Sequence, residues 1–238
     1  MNDSPRQITA TDLRDVTLIK IDQYGALGQT EDGRQFRYVG NGASAVTAGQ
    51  LVVVAPVVAN HTNISVAANA GIGALTLVVT LGATAATQDQ YAEGFVTVNA
   101  GTGLGTTYRI AGNGAANSAG NCTLVLAEPL WQAVTSASSK VCLAASPFSS
   151  VVTSVTVSRP VGVATVPIAA NGYGWVQSYG YCSAVSDISI AGKGLAVKQS
   201  ITTAGAVTVS AAATDFSIGS APEAGVSAEA RAVWLNVE

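Results

Sequence analysis

The sequence predicts an all-β protein, an antiparallel sandwich or barrel of many short strands preceded by an extended N-terminal arm. Three observations lead there. Short runs rich in β-branched and aromatic residues follow one another at close spacing along the chain. Glycine-rich or Asn-Gly segments separate many of them, and few windows carry a helical period. Within the runs Val alternates with Thr or Ser, as in Val155-Thr156-Val157-Ser158 and Val207-Thr208-Val209-Ser210, so one face can be buried while the other presents hydroxyls.

The elements follow in order. Residues 1–15 hold Pro5 with Asp3, Asp12, Arg14 and Asp15 and no periodic apolar pattern, which predicts an extended arm ordered by something other than its own core. From Val16 the pattern alternates to Ile21 and reads as a strand. Asp32-Gly33 before Gln35-Phe36-Arg37-Tyr38-Val39 is a two-residue hairpin signal. Further strands are expected over 51–58, 75–81, 95–98, 108–111, 123–126, 141–143, 151–158, 161–166, 174–182, 195–197, 206–210 and 232–237. A chain of 238 residues can fold its body, 16–238, as one large β domain or as two lobes, with a boundary near 147–159.

Charge is distributed unevenly. Residues 1–37 carry 6 acids and 5 bases of the chain's 25 charges, whereas the 51 residues from Tyr38 to Gln88 hold none, and His61 is their one group titrating near neutrality. With 11% charged residues and a net charge of -3, no basic excess exists to neutralise phosphates, so nucleic acid is not the expected partner. A low-charge β surface fits better under partner subunits, because interface cores are depleted in ions. The start, Met1-Asn2-Asp3-Ser4-Pro5-Arg6, lacks the apolar run of a secretory signal, so synthesis in a cytoplasm is expected. The uncharged stretch 66–87 is long enough to cross a bilayer, but Asn69, the glycines and the threonines dilute it and a membrane span is not expected.

Tests for chemistry return little. His61 is the one histidine, no GxSxG elbow accompanies it, and a structural or surface role is expected. Cys122, Cys142 and Cys182 have no CxxC spacing and read as buried reduced thiols. Four scattered Cys and His residues do not make a zinc site, Asp89 and Glu93 lack a calcium-loop ladder, and Gly101-Thr102-Gly103-Leu104-Gly105 lacks the lysine and helix of a phosphate loop. No catalytic residue, cofactor or metal is therefore expected. The feature above background is an aromatic ladder, with Tyr173, Trp175, Tyr179 and Tyr181 sharing one strand parity with Gln177. It reads as packing against a neighbouring sheet or subunit, or alternatively as a stacking platform for a glycan.

Two segments carry a resemblance. Ile21-Asp22-Gln23-Tyr24-Gly25 with Thr30 to Val39 and Ala48-Gly49-Gln50-Leu51, and Val161 to Gly180 around Tyr173-Gly174-Trp175-Val176-Gln177, resemble tailed-bacteriophage virion proteins of the capsid decoration, or cement, class. The resemblance implies a non-enzymatic structural protein on the capsid surface of the virion, bridging major capsid protein subunits and self-associating, with a trimer favoured. On that reading the polar arm threads across a neighbouring subunit, and Arg6, Arg14, Arg34 and Arg37 are candidates for bidentate contacts to carboxylates. A carbohydrate-binding adhesin, and a tail or baseplate component, are the alternatives.

Overall fold

The computed structural model describes residues 5–187, 193–211, 215–223, 226 and 229–237. The chain is nearly all β. In order it forms β1 (Arg6–Gln7), α1 (Ala10–Arg14), β2 (Leu27–Gln29), β3 (Gln35–Gly40), β4 (Leu51–Val53), a 3-10 turn (Ala59–His61), β5 (Ile64–Val66), β6 (Thr76–Thr80), β7 (Phe95–Ala100), β8 (Thr107–Asn113), β9 (Asn121–Leu126), β10 (Lys140–Ala144), β11 (Pro160–Ala164), β12 (Tyr173–Val185), β13 (Leu195–Gln199), β14 (Val207–Val209), β15 (Gly219–Ala221) and β16 (Ala230–Asn236). Among the described residues no helix is long and apolar enough to cross a membrane.

The chain divides into two compact units, and one interrupts the other. Residues Met1–Ala55 and Pro147–Glu238 make the first, and Pro56–Ser146 the second. Pro56 and Pro147 open the segments after each junction, where a fixed φ and a missing donor suit a chain leaving a sheet. The junction between Ser146 and Pro147 falls at the near edge of the boundary expected near 147–159, and the junction between Ala55 and Pro56 is a second one that the sequence does not announce.

The inserted unit is a closed antiparallel barrel in the order β10-β5-β6-β9-β8-β7. Its strands alternate as closure requires. On β9, Cys122, Leu124 and Leu126 are buried while Asn121, Thr123 and Val125 are exposed, and Val96 and Val98 of β7 point into the same core. Tyr91, Tyr108, Ile110 and Leu143 help fill it. His61 is fully buried here, with Nδ1 against the Tyr91 hydroxyl and Nε2 2.8 Å from the Thr84 carbonyl oxygen. A carbonyl can only accept, so Nε2 carries the proton and Nδ1 accepts from Tyr91. Both ring nitrogens are thereby used in holding the loop of Thr84 to the barrel wall, and of the two roles expected for His61 the structural one applies.

Among the described residues, the first unit is a ten-stranded sheet with the path β1-β2-β3-β12-β16-β15-β13-β14, and β11 joins β12 to β4. All pairs are antiparallel except β1 with β2. The long strand β12 organises it, pairing with β3 over Tyr173 to Tyr179 and with β16 over Tyr179 to Val185.

Four expectations differ from this arrangement. From Pro5 to Asp15 the expected arm is not extended, and its first four residues lie outside the described ones. Thr9 caps α1 through a capping box with Asp12, and Ile8 and Leu13 are buried on Phe36, Tyr38 and Trp175. A Cβ added at Gly28 would lie 2.6 Å from Ile8 Cδ1 and 3.0 Å from Trp175 Cζ3, which measures how closely this layer packs. Residues 16–21 are not a strand: Thr17 bridges to Tyr173, and among the described residues no strand pairs with Leu18 to Ile21. The 151–158 run makes only the bridges of Val151 and Val152. The β2-β3 hairpin closes with a longer loop than two residues: Thr30 N–H donates to Arg34 O at 3.0 Å and Gly33 N–H to Thr30 O at 2.9 Å, with Gly33 at φ +83°. That is a type I turn followed by a left-handed glycine, the three-residue solution.

Candidate binding site

The aromatic ladder lies on β12 as the alternation requires, but its two halves meet different surroundings. Trp175 is buried and Tyr173 half-buried beneath the N-terminal layer, with Trp175 edge-on to Tyr38 at 5.4 Å and Tyr173 stacked on Tyr38 at 6.3 Å. Tyr179 and Tyr181 are 36% and 53% exposed. The change falls at an irregularity, where the β12-β3 register shifts between Gln177 and Tyr179 and β3 ends its pairing. Bulges of this kind re-aim side chains beside sites. Gly180 follows at φ +92°, a conformation that favours glycine, and a Cβ there would stand 3.1 Å from Arg34 Cγ, so that side chain would have to give by a few tenths of an ångström.

Past the irregularity a third ring joins the exposed pair. Trp234 of β16 is the register partner of Tyr181, is 47% exposed, and meets Tyr179 edge-on at 6.1 Å. These three rings border a cleft of about 550 Å³ whose remaining lining is Asp32, Gly33, Arg34 and Gly180. Arg34 Nε donates to Asp32 Oδ2 at 2.8 Å, and the Thr30 hydroxyl donates to Asp32 Oδ1 at 2.5 Å. The Thr30 hydroxyl first, and Arg34 beside it, hold the Asp32 carboxyl below its ordinary range.

A second cleft, of about 600 Å³, shares Arg34 and Tyr181 with the first. Its lining includes Gln177, Thr165, Cys182 and Glu223. Gln177 is fully buried, and its amide nitrogen donates to the carbonyls of Tyr179 at 3.1 Å and Tyr181 at 3.0 Å. Its Oε1 is buried with no hydrogen-bond partner, and so is the Thr165 hydroxyl. A buried polar atom left unmet costs about 1–3 kcal/mol, so two of them lining one cleft mark a place that gains from receiving hydroxyl or N–H groups.

Neither the thiol nor the aspartate carboxyl described at these clefts is tuned for covalent or acid chemistry near neutral pH. Cys182 lines the cleft, but burial pushes its thiol up to about 12, far from a thiolate near neutrality. The depressed Asp32 is the opposite of a carboxyl tuned as a general acid. Among the described residues no group of three or more His, Cys, Asp or Glu side chains is placed to hold a metal. Cys122 is also buried, whereas Cys142 is only half-buried, against the expectation that all three would be enclosed.

Of the arginines singled out in the sequence, Arg34 alone lines these clefts. Arg6 is engaged by Asp22 at 3.0 Å and Asp12 at 3.5 Å, Arg37 Nη1 donates to Gly25 O at 2.8 Å, and Arg14 is exposed in the last turn of α1. Trp234 and Thr165 carry no signal of the site in the sequence reading, and Gln177 enters it only by sharing the parity of the aromatic ladder. The sequence does place Trp234 out of phase with Val233 and Leu235, which marks it as facing away from the core, but its pairing with Tyr181 is a long-range register.

Comparison with protein-family models, with curated proteins and with solved structures finds no match to this chain.

Proposed function

We propose that the chain is a non-enzymatic structural protein of a virion, a decoration protein that binds the outside of an icosahedral phage head, self-associates and stabilises the lattice of the major capsid protein. The observation that carries the reading is an apolar tip, Leu18 to Ile21, held away from the core. Thr17 is anchored by paired backbone bonds to Tyr173 at 3.1 and 2.8 Å, and Ile21 N–H donates to the Tyr38 hydroxyl at 3.1 Å. Between these anchors Leu18, Ile19 and Ile21 are 72%, 76% and 57% exposed. Lys20 turns back over the Tyr24 ring, 4.0 Å from its centroid. Burying one fully exposed aliphatic side chain contributes about 1.5–3 kcal/mol, so the tip, with about two side chains' worth of surface still exposed, offers about 3–6 kcal/mol before the costs of association are subtracted.

The resemblance at residues 21–25, 30–39, 48–51 and 161–180 supports the capsid lattice as the surface that covers the tip. Repeated on every subunit of a symmetric shell, modest apolar contacts add by mass action to a large stabilisation and need no reaction. The test mixes purified chain with phage heads lacking it and measures co-sedimentation. The expected result is saturable binding that falls at least tenfold for the Leu18→Ser, Ile19→Ser, Ile21→Ser variant. Equal binding by that variant, or no binding by the unaltered chain, overturns the proposal.

A further inference from the structure

We infer that the two adjoining clefts along β12 and β16 form one binding site for a neutral saccharide. The inference does not rest on the capsid reading. The chemistry of the site is divided as a sugar is divided: the exposed rings of Tyr179, Tyr181 and Trp234 offer apolar faces, and the buried Gln177 Oε1 and Thr165 hydroxyl lack partners. A pyranose has a face of C–H groups that lies against an aromatic ring and a rim of hydroxyls that both donate and accept. Gln177 Oε1 can only accept, so it calls for a donor, and a ligand hydroxyl or acetamido N–H supplies one. Tyr181 and Arg34 belong to both clefts, so a chain of more than one sugar ring can bridge from the aromatic cleft to the polar one.

Charge argues for neutrality. The single cation at the aromatic cleft, Arg34, is bonded to Asp32 at 2.8 Å, and Glu223 lines the other cleft. A phosphate or a nucleic-acid backbone would meet two carboxylates against one committed guanidinium. Gln177 is fixed by its two bonds to the β12 backbone, so the acceptor is already oriented before a ligand arrives.

The experiment displays the biotinylated full chain on streptavidin, for avidity, over an array of neutral oligosaccharides of hexoses and N-acetylhexosamines. Uronate and sialic acid glycans and an oligo(dT) are the comparison ligands. Expected is retention by at least one neutral glycan. Titration with that glycan should show affinity at least tenfold weaker for Tyr181→Ala and for Trp234→Ala, and unchanged for Trp131→Ala, which removes the exposed tryptophan of the barrel unit. Circular dichroism and size exclusion of each variant report folding and assembly. The inference is overturned by retention of no neutral glycan, by stronger retention of the anionic ligands, or by unaltered affinity in a folded Tyr181→Ala, Trp234→Ala double variant. It is equally overturned if Trp234→Ala turns an oligomer into a monomer, which would make the rings a subunit interface. Because no capsid is present, failure here leaves the decoration reading standing, and failure of head binding leaves this site standing.

Discussion

Replacing Ile8 and Leu13 by alanine should destabilise the first unit severely, although both lie in a segment whose sequence reads as a dispensable arm. The two side chains are 4% and 8% exposed and cover Phe36, Tyr38 and Trp175. Buried Leu or Ile to Ala costs about 2–5 kcal/mol. The lower part of that range applies, about 2–3 kcal/mol each, because Ile8 and Leu13 border a surface cleft and water can reach a vacated site. The sum of about 4–6 kcal/mol is softened by shared partners, yet it is comparable with the whole stability of an ordinary domain, about 5–15 kcal/mol. Urea denaturation followed by tryptophan fluorescence reads it directly, since Trp175 lies under the mutated layer. With a slope of about 2 kcal/mol/M, the midpoint should fall by about 2–3 M, and deletion of residues 1–15 should behave alike. A midpoint within about 0.3 M of the parent would refute the assignment of this segment to the core.

Three further outcomes follow from the structure. His61→Leu removes the donor to Thr84 O and the acceptor of the Tyr91 hydroxyl, and should lower barrel stability by about 2–4 kcal/mol in thermal unfolding, with little effect on the first unit. Burial raises the Tyr91 phenol from 10.0 to about 12 and the Cys182 thiol from 9.0 to about 12. Both folded values exceed the unfolded ones, so this stability is fully present below pH 9 for Cys182 and below pH 10 for Tyr91, and is lost as pH rises toward 12. Losses of about 3 kcal/mol in the barrel and about 4 kcal/mol in the sheet are the upper scale, read from urea midpoints at rising pH, and Cys182→Ala should flatten the sheet's dependence. Gly180→Ala, at φ +92° and beside Arg34 Cγ, should cost about 1–3 kcal/mol by the same assay, and a neutral result would mean the β12 backbone relaxes there.

Where one strand meets one core, the pattern could be read from the chain. Cys122, Leu124 and Leu126 alternate with Asn121, Thr123 and Val125, and the barrel wall follows that alternation. Val16 to Ile21 alternates almost as well and forms no strand, because alternation states which face is apolar and not whether a neighbouring backbone exists to bond it. The arm was misread for the opposite reason: α1 is too short to show a period, although Thr9 and Asp12 stand at capping-box spacing before the buried Leu13. The insertion was hidden because β4 pairs with β11 across the whole barrel unit, a contact that no local window contains. For the site, the parity of Tyr173, Trp175, Tyr179 and Tyr181 was visible, but the split into a covered and a wet half depends on Ile8 and Leu13 and on the register shift after Gln177. Trp234 reaches the cleft only through its pairing with Tyr181.

The proposal of a head-surface role is tested most directly by immunogold labelling of purified particles from a lysate of the host that carries this gene, viewed by electron microscopy. Gold distributed over the heads is the predicted result. Gold confined to tails, or particles without label, would contradict it.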